Sequence, residues 1–280
     1  MLLMDLRDAV RGFVKHPGFA ATAVLSLAIG IGANSAIFSV ANALLLRSLP
    51  YADAGRLVIL WNRSPGLGIA EDWFSTAQYV DVRDGAPSLE QTGILYGANQ
   101  TITGEKEAER IATLRVSSSV LPMLGAQPIL GRLFNAEDDA RTPAATAILG
   151  HGTWTRRYGR DPAIVGRRIE LDGRSLEIVG VLSESFSLPH DIVPTVGIAA
   201  DANLIIPLPL GPAAAQARNR EDYNIIGRLA PGRTAADLQG ELDVLTARLR
   251  HDFPQLYPPN GGTTSTVSYT HLTLPTKRIV

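Results

Sequence analysis

Polar and apolar positions divide the chain into unequal stretches. Near the start, Leu3, Leu6, Val10 and Phe13 fall at helical spacing, opposite Asp5, Arg7, Asp8, Arg11 and Lys15. That pattern predicts a short amphipathic helix over 1–16 lying on a membrane surface. Pro17 and Gly18 then supply a bend. Over 17–46 there is no charged residue, and Lys15 and Arg47 close the two ends of the run. A helix rises about 1.5 Å per residue and the hydrocarbon core of a bilayer takes roughly 20 residues. The run therefore predicts a transmembrane helix over 17–46. Two alternatives are a buried soluble helix and a secretory signal cut at the small-x-small sequence Ala41-Asn42-Ala43. An apolar core longer than the usual ~7–15 residues of a signal favours an uncleaved anchor, as does Leu44-Leu45-Leu46 beyond the cut.

Within the span, Ala28, Gly32 and Ala36 recur every four positions, with Thr22, Ser26 and Gly30 on a neighbouring stripe. Small residues let a second helix approach closely where lipid supplies no hydrophobic force. Asn34 and Asn42 carry amides that favour a partner helix over lipid. Ala28, Gly30, Gly32, Asn34 and Ala36 are thus candidate helix-packing residues. Flanking cations do not orient the span: three precede it (Arg7, Arg11, Lys15) and three follow it closely (Arg47, Arg56, Arg63).

Beyond 46 no other run reaches membrane length, which predicts one water-exposed domain, or two lobes, on a single side. Strands are expected at 56–62, 109–116, 145–149, 204–206 and 223–229, and short helices at 75–83, 120–124 and 152–158. The alternating runs of 167–182 flank Asp172-Gly173, the favoured pair for a two-residue hairpin turn. Pro207, Pro209, Gly211 and Pro212 mark a linker or lobe boundary. Thr234 and Asp237 have the spacing of a capping box, and Leu238, Leu242, Leu245 and Leu249 form one apolar stripe that ends before Pro254. The fold class expected is α+β.

Composition removes several chemistries. The 280 residues hold 26 basic and 27 acidic side chains, so bulk charge gives no footprint for nucleic acid. Cysteine is absent, which excludes disulfides, thiol nucleophiles and cysteine-ligated metals. No G-x-x-x-x-G-K-[ST] or G-x-S-x-G occurs, and Gly30-Ile-Gly32 lies inside the apolar run. His16, His151, His190, His251 and His271 show no metal-binding spacing. The remaining candidates are His190-Asp191 and His251-Asp252, the helically spaced Asp81 and Asp84, and the acidic turn Glu137-Asp138-Asp139, all read as surface features. Ser117-Ser118-Ser119 reads as a polar turn or helix cap. No catalytic, cofactor-binding or metal site is expected, and no cofactor.

Five segments in order, at 30–51, 56–61, 115–139, 154–182 and 226–249, resemble MacB/FtsX-type ABC transporter permeases, and within them the duplicated orphan permeases. The resemblance implies a transmembrane helix followed by a two-lobed mixed α/β periplasmic core domain over 47–262, then three further helices. It implies a cytoplasmic N-terminus, a bacterial inner-membrane location, a separate ABC ATPase subunit as partner, other permease helices as neighbours, and no catalytic residue in the permease. The three later helices are absent here. The segment 263–280 is expected to be a non-native or disordered tail. From about 267 it looks like translated sequencing-adaptor read-through, although its alternation also suits an edge strand. Two other functions stand beside a truncated permease: a single-span protein with an external sensor or adhesion module, and a membrane-anchored hydrolase resting on the two His-Asp neighbours.

Overall fold

The computed structural model describes residues 15, 17–41, 51, 53–64, 68–104, 107–140, 145–186, 188, 203–257 and 264–269. They fall in two compact units, 1–49 and 50–280. In chain order the α-helices are α1 (Pro17–Ala41), α2 (Thr76–Gly85), α3 (Val120–Met123), α4 (Ala136–Ala140), α5 (His151–Tyr158) and α6 (Ala235–Asp252). The strands are β1 (Leu57–Ser64), β2 (Ile69–Asp72), β3 (Leu89–Thr103), β4 (Glu109–Val116), β5 (Pro128–Gly131), β6 (Thr146–Leu149), β7 (Arg168–Leu171), β8 (Arg174–Leu182), β9 (Leu204–Pro207), β10 (Asn224–Leu229) and β11 (Thr264–Tyr269).

The first unit contains α1. Its stretch from Pro17 to Ala36 is long and apolar enough to cross a bilayer, and none of it is buried against protein. The surface helix expected over 1–16 lies outside the described residues except for Lys15, as do residues 42–46.

The second unit is a mixed sheet of eleven strands in the order β11-β1-β10-β3-β4-β9-β6-β8-β5, with β2 on β1 and β7 bridging β3 and β8. Among the described residues two apolar cores are found on it. In the first, α2 and α6 cover β1, β10 and the first half of β3 with Val58, Phe74, Ile94, Ile225, Leu238 and Leu242 at its centre. Both helices start on capping boxes, in which Ser75 pairs with Gln78 and Thr234 with Asp237, so donors that a helix start leaves unpaired are satisfied. The leucine stripe of α6 thus packs on the sheet. In the second core, α5 contributes Trp154 against Ile102, Leu149, Ile169, Ile178 and Leu204 from the far half of the sheet. This is the two-lobed α+β domain expected, with one sheet running through both lobes.

The β7–β8 hairpin turns at Asp172 (φ 49°) and Gly173 (φ 75°). Two successive positive φ values are what a type I′ turn requires. Pro207 ends β9, and the chain then passes from the second core to the first, where Leu208 packs.

Over 264–269 the chain takes the edge-strand alternative that its alternation suggested. Thr264–Tyr269 is an edge strand antiparallel to β1, with Thr264 opposite Arg63 and Tyr269 opposite Val58. The Gln239 side chain of α6 clamps it, donating to the Ser265 carbonyl at 2.8 Å and accepting from Val267 N at 3.1 Å, while Val267 packs on the first core. The segment was judged on its resemblance to translated adaptor read-through from about 267. The partners that order it, β1 and α6, are remote in sequence. Residues 270–280 lie outside the described set.

Candidate functional site

The packing candidates of α1 are laid out by helix geometry. At about 100° per residue, Ala28, Gly32 and Ala36 form one stripe, whereas Thr22, Ser26, Gly30 and Asn34 form another centred roughly 140° away. The two stripes are therefore not adjacent, as the sequence reading had them, but well separated around the helix. All of these residues are exposed, and nothing lies within 4 Å of where a Cβ on Gly30 or Gly32 would sit. Between the stripes project Val24, Leu27, Ile29, Ile31 and Phe38, all more than half exposed. A helix apolar around its whole circumference is suited to lipid and to other membrane helices. The Thr22 hydroxyl is satisfied internally, donating to the Gly18 carbonyl at 2.7 Å.

In the external unit, the acidic residues singled out from sequence do not converge. Asp81 accepts a bidentate ion pair from Arg218, at 2.6 and 3.2 Å, while Asp84 pairs with its neighbour Arg83 at the surface. The acidic turn is not a solvated face. Asp138 is 3% exposed and accepts from Arg132 (2.7 Å), Asn135 N (2.9 Å) and the Thr146 hydroxyl (3.0 Å). Burial acts first to raise its pKa, but these hydrogen bonds outweigh it and hold the carboxyl below its ordinary value. Asp139 accepts from the backbone N and the hydroxyl of Ser118 at 2.8 and 2.6 Å, and burial holds its pKa up.

The three serines cross-link the sheet. Ser117 Oγ accepts from Ile94 N and Ser119 donates to the Thr92 carbonyl at 2.6 Å, so the end of β4 and the start of α3 are tied to β3. Both kinds of residue hold structure together. His251 contacts Asp252 at 2.9 Å on an exposed helix end, and His190-Asp191 lies outside the described residues. Among the described residues no group of three His, Asp or Glu side chains is placed to hold a metal.

Sequence reading missed a basic strip in the middle of the sheet. Arg115 on β4 lies opposite Tyr96 on β3 and beside Ile206 on β9, between the two cores. Burial, then Arg174, then Arg220 hold its pKa below the ordinary value, although the nearby Tyr223 and Tyr96 act the other way. A cavity of about 200 Å³ lies elsewhere in the second lobe, lined by Arg157, Tyr158, Arg167, Arg168 and Glu170 among others. Two of its arginines are already paired, Arg157 with Glu109 at 3.1 Å and Arg167 with Asp161 at 3.4 Å.

The arrangement is an apolar helix followed by a two-core sheet with no assembled catalytic group among the described residues. The family model for the MacB-like periplasmic core domain covers residues 20–245, from within α1 to well into α6. The chain belongs to this family. Three solved structures share the fold of the MacB-like domain. A domain assigned to a permease from Porphyromonas gingivalis is 18% identical, with a TM-score of 0.59 over 78% of this chain and 92% of that one. The periplasmic region of MacB from Actinobacillus actinomycetemcomitans is 10% identical, with a TM-score of 0.54 over 77% and 89%. The extracellular domain of the noncanonical ABC-type transporter YknZ from Gram-positive bacteria is 15% identical, with a TM-score of 0.50 over 76% and 99%. No curated protein matches the sequence.

Proposed function

We propose that this chain is the anchored periplasmic part of an ABC-type permease of the bacterial inner membrane, with its N-terminus cytoplasmic. A separate ATPase subunit supplies the energy, and the external domain transmits motion for export or for activation of a partner rather than catalysing a reaction. Under this reading Ala28, Gly32 and Ala36 seat one neighbouring helix and Gly30 with Asn34 seats another, drawn from the permease's own later helices or from a second subunit.

The observation that carries the proposal is the family match running through both the apolar helix and the domain. Strand direction supports it. The chain enters the domain at β1 and leaves along β11, which runs antiparallel beside it, so Tyr269 ends opposite Val58. Incoming and outgoing chain therefore lie together at one end of the sheet, as a domain inserted between membrane helices needs. Thr264 opposite Arg63 and Thr266 opposite Trp61 already fix that direction before residue 267.

Two measurements test the reading. Sequencing the gene past the codon for Thr266 is expected to show three apolar runs of roughly 20 residues. A stop codon there would overturn the permease in favour of a single-span sensor or adhesion module. The chain has no cysteine, so single cysteines at Asn99 and at Arg7 are clean topological reporters. A membrane-impermeant maleimide added to spheroplasts is expected to label N99C and to leave R7C unlabelled until lysis. The reverse pattern would refute the orientation.

A further inference from the structure

The strip around Arg115 is unlike the other places where arginine is held away from water. Arg157, Arg218 and Arg228, whose side chains are only 6%, 12% and 8% exposed, each meet a carboxylate or carbonyl: Glu109, Asp81 and the Met123 carbonyl at 2.6 Å. Arg115 is half-buried on the covered face of β4, makes no hydrogen bond or ion pair among the described residues, and has an Nε that is buried without a partner. Arg174 and Arg220 act on it as like charges, and Arg115 in turn helps to hold the Asp172 carboxyl below its ordinary value. The acids nearby are engaged elsewhere. Asp172 accepts from Gln100 Nε2 at 2.8 Å and Thr101 N at 2.9 Å, and Asp222 pairs with Arg220.

The surroundings are shaped as well as charged. Tyr96, directly across from Arg115, stacks at a tilt on Tyr223 with ring centroids 5.6 Å apart, and the Arg220 guanidinium stands 5.9 Å over the Tyr96 ring. Tyr96 packs at the margin of the first core, and Tyr96, Gln100 and Arg115 all remain partly exposed. A partly desolvated cation beside like charges works against folding. A planar guanidinium with free donors matches the two oxygens of a carboxylate or phosphate.

We propose that the strip between the two lobes is an oxyanion-binding site. Arg115, flanked by Arg174 and Arg220, receives the carboxylate or phosphate group of a small ligand, whose body rests against Tyr96. The site does not rest on the membrane role proposed above. Arg115 is kept for binding at the expense of stability, and that trade distinguishes it from a structural arginine.

The test uses the full chain in detergent micelles at low ionic strength, titrated with inorganic phosphate and, separately, with glutarate while the melting temperature is recorded. At least one probe is expected to raise the wild-type melting temperature saturably. In Arg115→Met the apparent affinity is expected to fall at least tenfold, and without probe the variant is expected to melt no lower than wild type. Arg115→Lys, which keeps the charge but loses the fork, is expected to respond between the two. Arg168→Met, at the separate cavity, is expected to respond like wild type. A response to phosphate alone assigns a phosphate-bearing ligand, and one to glutarate alone a carboxylate. The proposal is overturned if neither probe acts on wild type, if Arg115→Met responds equally, or if that variant melts markedly lower without probe.

Discussion

The two cores of the external domain draw on different parts of the chain. Every member of the second core lies between Ile102 and Ile206, a single continuous stretch. The first core takes its members from Val58 to Tyr96 and again from Leu208 to Val267. The second lobe is therefore an insertion in the first, which is closed only when the two distant segments meet at β1, β10 and β11. Chain entropy weighs differently on the two: the second is built from shorter loops, and the first must close around it.

The sharpest way to break this comparison is to empty the first core at its hinge of contact. Phe74 is fully buried and its backbone forms a two-way bridge to Tyr223, at 2.8 and 3.0 Å, so it ties the segment after β2 to the segment before β10. Phe74→Ala is expected to cost about 3–5 kcal/mol. Hydrogen exchange is expected to show lost protection in β1 and β10 with β6 and β8 still protected. Equal loss in both lobes would show that they unfold as one unit, and the distinction drawn above would fail.

In the second lobe the comparable lesion is polar. Asp138→Ala removes the acceptor shared by Arg132, Asn135 N and Thr146, and about 2–3 kcal/mol is expected from the donors left behind. Because the folded pKa lies below the ordinary 3.8, the wild-type contribution is present above that value and is lost as pH falls through the folded pKa. Urea unfolding at pH 7 and near pH 3 is expected to show the variant deficit shrinking in acid. An undiminished deficit would mean that the carboxylate charge is not what matters.

How legible each lobe is from sequence follows the same division. The β7–β8 hairpin was readable because Asp172-Gly173 and two alternating runs carry their instructions locally. The cap at Thr234 and the leucine stripe of α6 were readable for the same reason. β3, the longest strand, was not. No strand was expected over 89–103, and Gly93 within it lies where packing leaves no room: a Cβ there would lie 2.6 Å from Val120 Cγ2. Asp138 was mistaken for surface because an acidic run is usually solvated, and its partners became visible only when β6 was placed beside it. The Arg115 strip combines β3, β4, the β8 start and the loop before β10, which no local pattern announces. The spacing of the small residues in α1 was plain in the sequence, although its two stripes were read as adjacent where helix geometry sets them well apart.

A smaller test contrasts the lobes by pH. Glu221, in the loop that leads into β10 of the first lobe, has its pKa pushed up to about 7 by burial and by Asp72, with a Gln78 hydrogen bond opposing. A folded pKa above the ordinary 4.5 stabilises the domain below that value, and the contribution is lost as pH rises through about 7. Asp138 has the opposite sign. Glu221→Gln is expected to remove the alkaline loss and raise stability at pH 8 by about 1–3 kcal/mol, with little change at pH 4. Melting curves at the two values check this, and an equal shift at both would remove ionisation as the cause.

The least effect is expected at Thr234, and it sharpens the comparison because it changes no core residue. The Thr234 hydroxyl accepts from Asp237 N at 3.2 Å while the Asp237 carboxylate accepts from Thr234 N at 2.8 Å, at an exposed helix start. Thr234→Ala removes half of that exchange and is expected to cost about 1 kcal/mol, with Thr234→Ser restoring most of it. The turn it loosens leads directly into Leu238 and Gln239, and Gln239 clamps β11. If the first lobe is closed from its ends as argued, exchange should quicken in β11 as well as in the first turn of α6, while the β7–β8 hairpin stays unchanged. Quickening confined to the first turn would show that β11 is held by β1 alone, and would separate the outgoing strand from the helix that covers the first core.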